Sequence, residues 1–221
     1  MKRYKVTLVG ESPLLMHKDN IQFGEKSTAW SRDPRNKGAS VAGDDRTPAW
    51  SWIGYCYHDG VNLCLDADNL MTMLRDGGKR CPAAKGKGSM KSQTQSGLLI
   101  NEIGWPLMVG GAVVPFAPIA ALEKESEFAK HEDMAKSMGF ELFAKRAKIG
   151  TRKHVRVRPR FDKWSASGTI TVLDASITSA VLDQILTHAG FFCGICDWRP
   201  SSPMAPGQFG RFTHTMEEIK D

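Results

Sequence analysis

Gly150-Thr151-Arg152-Lys153-His154-Val155-Arg156-Val157-Arg158-Pro159-Arg160-Phe161 is the stretch that organises the reading. Arg152, His154, Arg156, Arg158 and Arg160 fall on one parity, and Val155, Val157 and Phe161 on the other. Successive side chains of a strand point to opposite faces, so the pattern predicts a strand with a cationic face and an apolar face. A row of like charges at strand spacing repels itself unless something anionic lies along it, and a nucleic-acid backbone is such a partner.

The charge is concentrated here. The window from Glu141 to Ser165 holds nine cations (Lys145, Arg146, Lys148, Arg152, Lys153, Arg156, Arg158, Arg160, Lys163) against Glu141 and Asp162. That excess is larger than the +6 of the whole 221-residue chain. With 41% hydrophobic and 24% charged residues the chain can bury a core, which excludes a disordered protein. A size of 221 residues suits one domain or two tightly joined ones. No apolar run reaches 18 residues, and Met1-Lys2-Arg3-Tyr4 leads straight into a strand pattern, so neither a membrane span nor a signal peptide is expected. Five cysteines without an export signal point to reduced thiols in a cytoplasm.

Along the chain, Arg3 to Gly10 alternates as a first strand. The polar segment at about 18–50 reads as a mobile or partner-ordered loop insertion, although Trp30, Trp50 and Trp52 lie in or beside it. Asp66-Ala67-Asp68 caps a helix from Asn69 to Asp76 that Gly77-Gly78 should stop. Residues Ser92 to Leu99 suit a short helix, and Trp105 to Pro115 a hairpin turning at Gly110-Gly111. Leu122 to Met138 is the longest helical candidate. Phe140 to Ile149 and His154 to Phe161 read as two basic strands, Ser167 to Leu173 as another strand, and Ser176 to Gly190 as an amphipathic helix. The tail at about 191–212 is a glycine-rich loop. Strands, hairpins and helices interleaved in this way predict a single α+β domain over 1–221. Its core would be a ferredoxin-like or RNA-recognition-like antiparallel sheet, with helices on one face and long loop insertions.

For binding, Arg156, Arg158 and Arg160 are the expected phosphate contacts, helped by Lys145, Arg146, Arg152 and Lys153. Trp164 or Phe161 would stack on a base. A second cationic loop carries Lys85, Lys87 and Lys91, and the tail adds the planar donors Arg199 and Arg211. Cys193-Gly-Ile-Cys196 has the spacing of half a zinc site, but no second CxxC or HxxxH accompanies it, so buried thiols are expected and no metal or cofactor. The six histidines are scattered. His17 and His154 are the candidates for a general base if the chain were an enzyme, and no nucleophile elbow stands beside either.

Four stretches carry a resemblance: Pro13-Leu14-Leu15-Met16-His17, Leu65 to Leu70, His154 to Phe161, and Asp197-Trp198-Arg199-Pro200 running to Phe212. Together they resemble a group of uncharacterised phage and prophage proteins. More loosely, the layout resembles the RAMP superfamily, to which the backbone subunits of CRISPR effector complexes belong. Gly10-Glu-Ser-Pro13-Leu14, Leu65 to Leu74 and Gly190 to Phe212 occupy the places of that superfamily's opening turn, mid-chain strand–turn–helix and glycine-rich loop. The resemblance implies a domain that binds single-stranded nucleic acid along its backbone and stacks side by side into a filament. The expectation is therefore a non-enzymatic, cytoplasmic, phage-encoded protein that binds single-stranded RNA or DNA and forms a homo-oligomer, with no membrane partner. The alternatives are an RNA-processing nuclease of the RAMP type and a phage structural or host-protein-binding factor.

Overall fold

Tyr4, Val6 and Leu8 are fully buried while Lys5 and Val9 on the other parity are exposed, so the first strand, β1 (Lys2–Gly10), has one covered face. The structure, a computed structural model, describes all residues except 40, 42, 84–87, 150–151, 205 and 221. Of residues 147–149 and 152–153 it describes the backbone alone. After β1 come β2 (Leu14–Leu15), α1 (Ile21–Arg32), β3 (Cys64–Asp66), α2 (Ala67–Arg80), α3 (Lys91–Gly97), β4 (Leu98–Ile100), β5 (Gly104–Val109) and β6 (Ala112–Val113). The second half holds α4 (Ala117–Ala121), α5 (Phe128–Ser137), β7 (Glu141–Ile149), β8 (Arg152–Phe161), β9 (Ser165–Val172), α6 (Ser179–His188) and β10 (Phe212–Ile219).

The fold is α+β. The larger sheet runs β10-β1-β9-β5-β3, with β4 also paired to β9 and β6 to β5, and each of these pairings is antiparallel. Leu70, Met73 and Leu74 of α2 and Leu182, Ile185 and Leu186 of α6 join Tyr4, Val6 and Leu8 in one core. The opposite face of β1 and its neighbours carries Lys5, Thr7, Val9, Ser167, Thr169 and Thr215, a row polar except for Val9 and without an aromatic. A smaller sheet, β2-β8-β7, stands beside it. The chain passes from β8 into β9 through Trp164, whose carbonyl accepts from the Gly10 backbone N–H at 2.9 Å.

Several expectations are met and others corrected. The Gly110-Gly111 hairpin forms, both glycines taking positive φ as such a turn requires. The segment at about 18–50 is not a structureless connection, because α1 occupies Ile21–Arg32. Asn20 caps it by accepting from the Phe23 backbone N–H at 3.3 Å, and no α1 residue is buried, so the segment shows no helical hydrophobic stripe. The helix expected to end at Gly77-Gly78 runs through both glycines to Arg80. The expected long helix from Leu122 breaks at Glu125, whose carboxylate accepts from the backbone N–H groups of Ser126 and Glu127 at 2.8 and 2.9 Å. The strand β10 closes the sheet edge and follows a tail read only as loop. Among the described residues no helix is long and apolar enough to cross a membrane.

A buried histidine ties two of these parts together. Trp52 Nε1–H donates to His131 Nδ1 at 3.0 Å, and His131 Nε2 lies 3.1 Å from the Glu125 carbonyl. The ring is therefore neutral, with its proton on Nε2. Burial holds its pKa below the ordinary value of 6.5, against the opposing pull of the Glu125 carbonyl. The unfolded chain then binds the extra proton first, so stability is full above about pH 6.5 and falls as the pH drops through that value toward the lowered native pKa. His17 and His58 shift in the same direction. The urea midpoint is expected to fall between pH 7.5 and 5.5, each about a unit from the free imidazole value. In His131→Gln, which keeps a donor and an acceptor, the fall should be smaller; an equal fall in both proteins would reject the assignment.

Candidate nucleic-acid interface

The β7–β8 hairpin has the two faces its alternation requires. Val157, Pro159 and Phe161 are buried, with Phe161 stacked 4.9 Å from Phe140. Residues directly opposite in an antiparallel pair share a face, so Arg160 pairs with Glu141, Arg158 with Phe143, Arg156 with Lys145 and His154 with Ala147. Arg146 lies opposite Val155 and so belongs to the other face.

The arginine row is not left for an external anion. Arg156 Nη1 binds Asp45 at 2.9 Å, Arg158 Nε lies 2.9 Å from Asp197, and Arg160 reaches Glu141 and Asp162, both at 2.8 Å. Asp45 comes from the segment after α1. Val155 N–H donates to the Gly43 carbonyl at 2.8 Å, and Asp45 N–H to the Val155 carbonyl at 2.9 Å, which lays this segment along β8. Asp197 comes from the tail, where its backbone N–H donates to the Leu15 carbonyl at 3.1 Å. Asp45 and Asp197, which neutralise Arg156 and Arg158, are distant in sequence, so a count of nearby acids misses them.

Arg158 is only 7% exposed. Its guanidinium carbon lies 4.4 Å from the centre of the Trp198 ring, and Lys145 Nζ lies 4.5 Å from the same centre. Phe143 and Phe209 close on Trp198 at 6.5 and 6.2 Å, and Arg160 lies over Phe143 at 5.4 Å. All three rings are half-buried. Burial lowers the Arg158 pKa and so weakens its hold on charge, with Asp197 opposing the shift. Trp198 and Asp197 were not singled out as site residues from sequence; the signal available was an aromatic beside an acid and an arginine in a glycine-rich tail.

A cavity of about 740 Å³ adjoins the row, with His17, Lys18, Phe23, Tyr55, Asp45 and Arg156 in its wall. Tyr55 donates its hydroxyl to Asp45 at 3.1 Å, and its ring meets His17 edge-on at 4.7 Å. Burial pushes the Tyr55 hydroxyl up to about 12. The His17 pKa lies below the usual imidazole value, first through packing that strips water from part of the ring, then through Arg158 and Arg156, with Asp197 and Asp45 opposing.

The other predicted residues fall apart from this cluster or inside the protein. Trp164 is 3% exposed; its Nε1–H donates to the Ser12 carbonyl at 2.9 Å and its ring covers Gly10, so no base can stack on it as placed. Phe161 is fully buried. Arg199 donates to Ser201 Oγ and the Cys196 carbonyl, both at 3.0 Å, and stands near Asp76 of α2. Arg211 donates to the Phe191 carbonyl and, through its backbone, to Ser12 Oγ at 2.9 Å. Both tail arginines clamp the tail to the body. Lys91 opens α3 and is exposed, packed with α2 rather than the hairpin. Lys85 and Lys87 lie outside the described residues, as do the side chains of Arg152 and Lys153. Lys145 and Arg146 are exposed, and no carboxylate among the described residues pairs with either. Cys193 and Cys196 are both buried free thiols, and among the described residues no three His, Cys, Asp or Glu groups converge as a metal site. The sequence matches no protein-family model and no curated protein.

Proposed function

We propose that the protein binds single-stranded nucleic acid along the β7–β8 hairpin, chiefly through phosphate, and assembles with other copies along the strand. The observation that carries this is the cluster at Trp198. A half-buried indole held by two cations, with Phe143 and Phe209 beside it, combines stacking surface and positive charge as sequence-tolerant strand binding requires. Lys145, on the Trp198 face and paired with no described carboxylate, extends the charge, and Arg146 adds positive charge on the other face of the same strand. Arg160, whose partners are largely in solvent, adds to it. In this reading Trp198 replaces Trp164 as the stacking residue, and Arg156 and Arg158 serve less directly than their parity suggests.

The strand order β10-β1-β9 followed by β4 and β5, with α2 and α6 as the two crossing helices, supports a ferredoxin-like core. The open face of that sheet has Ser and Thr where RNA-recognition domains place stacking aromatics, so the hairpin is the better binding surface. Exposed Phe191 and Phe192, on the turn after α6, offer apolar surface for contact between copies. In this reading the protein is phage-encoded, in keeping with the phage and prophage resemblance, and works in the host cytoplasm.

The test is a salt titration of oligothymidylate and oligouridylate binding. Log affinity should fall against log salt by about 0.7 for each phosphate neutralised on a single strand. The Lys145→Glu/Arg146→Glu double variant, altering two exposed residues, should keep its fold and lose roughly tenfold or more in affinity, with a shallower slope. Equal binding by variant and parent, or none at low salt, would reject the reading. A second reading, metal-independent RNA cleavage, is favoured by one observation: burial first, then Arg158 and Arg156, hold the His17 pKa below the ordinary imidazole value, which favours the neutral form a general base needs. End-labelled RNA incubated with chelator should stay intact if the protein only binds.

A further inference from the structure

The carboxylates along the arginine row hold it unequally. Asp45 is fixed whether or not Arg156 is present, since it accepts from Tyr55 and, at 3.3 Å, from the Val157 backbone N–H. Glu141 and Asp162 expose 46% and 61% of their side chains, so their hold on Arg160 is weak. Arg160 Nε, 2.8 Å from the exposed Asp162, is also shut off from solvent without an aligned hydrogen-bond partner, but at Asp197 the carboxylate oxygen is shut off as well. Asp197 Oδ2 lies 2.9 Å from Arg158 Nε, yet Oδ2, Nε and Nη1 are each shut off from solvent without an aligned hydrogen-bond partner.

The backbone around Asp197 adds an independent sign. Cys196 and Trp198, on either side of it, have φ of 64° and 47°, and among the described residues they are the non-glycine ones with positive φ. A Cβ disfavours that conformation, and such strain gathers at sites that change with ligand. The turn thus carries strain while pressing a carboxylate onto a guanidinium that it leaves unsatisfied.

We propose that Asp197 stands in for a phosphodiester. On binding a strand, one phosphodiester displaces Asp197 from Arg158 and supplies, with its two non-bridging oxygens, the aligned acceptors that Nε and Nη1 lack. Arg160 is open to phosphate from the start, Arg158 opens by exchange, and Arg156 stays on Asp45. Without a strand, Asp197 keeps the buried charge paired. This rests on the hairpin being the nucleic-acid face.

The experiment compares the parent with Asp197→Asn and with Asp183→Asn, which removes an equal charge at an exposed residue of α6 that meets His214 of β10. Each is titrated with oligothymidylate and oligouridylate over a range of salt. Asp197→Asn should bind roughly fivefold tighter, the equivalent of one partly exposed ion pair, at an unchanged slope, because the number of phosphates contacted is the same. Asp183→Asn should gain less than half as much. Equal gains would mean a general charge effect and overturn the proposal, as would no gain in Asp197→Asn. If the parent and both variants fail to bind at low salt, the hairpin reading itself falls. Should Asp197→Asn fold poorly by urea melt, Asp197→Ser, smaller and uncharged, answers the same question.

Discussion

Replacing Arg158 by glutamate is expected to lower the urea midpoint sharply where Arg160→Glu changes it little. Arg158 is nine-tenths buried, lies against Trp198 and pairs with Asp197. Removing one member of a buried pair typically costs about 3–5 kcal/mol, and because Asp197 keeps some contact with water the lower end applies. Glutamate also sets a carboxylate against Asp197 and near Asp45. Against a domain stability of roughly 5–15 kcal/mol, that removes a large share of the margin. Arg158→Met keeps the apolar stem under Trp198 and should lose about 2 kcal/mol less than the glutamate variant, since no like charges meet. Arg160, with partly solvated partners, should change stability by about 1 kcal/mol or less. Urea melts of the three variants decide this, and equal midpoints for Arg158→Glu and Arg160→Glu would contradict the buried role of Arg158.

The second large effect is expected at Gly77. A Cβ there would overlap the Ile185 carbonyl oxygen and come within 2.9 Å of the Ala189 Cβ, so α2 and α6 approach as closely as they do because nothing projects between them. Gly77→Val would push the helices apart along a seam that includes Met73, Leu74, Leu182 and Ile185. Overpacking of a core usually costs about 1–3 kcal/mol, and the β-branched side chain against backbone places this case at the top of that range. Gly24, exposed on α1 with nothing near its Cβ position, is the control: Gly24→Ala should gain up to about 1 kcal/mol from helix propensity. A thermal melt in which Gly77→Val matches the parent would show that the close approach is not required.

The two glycines illustrate what a linear reading misses. Gly77-Gly78 ends a helical pattern by local rules, yet Gly77 meets α6, Gly78 meets Thr94 of α3, and the packing against these helices carries α2 on to Arg80. Trp164 is similar. Its position beside a basic strand suggests a stacking residue, whereas Gly10 leaves a space that its ring fills. At α1 and β10 the hydrophobic signal is weak, because α1 buries nothing and β10 is half-exposed at the sheet edge.

At Arg152 to Phe161, the sequence by itself determined the strand, its two faces and the identity of its cations, because side-chain alternation depends only on neighbours along the chain. Which cations are free was decided by the tertiary structure alone. Asp45 and Asp197 reach the row from segments on opposite sides of it in sequence, and ion pairing depends on distance in space. The same folding that lines up the arginines brings two of them their own carboxylates, while Lys145, beside the Trp198 ring, pairs with no carboxylate among the described residues.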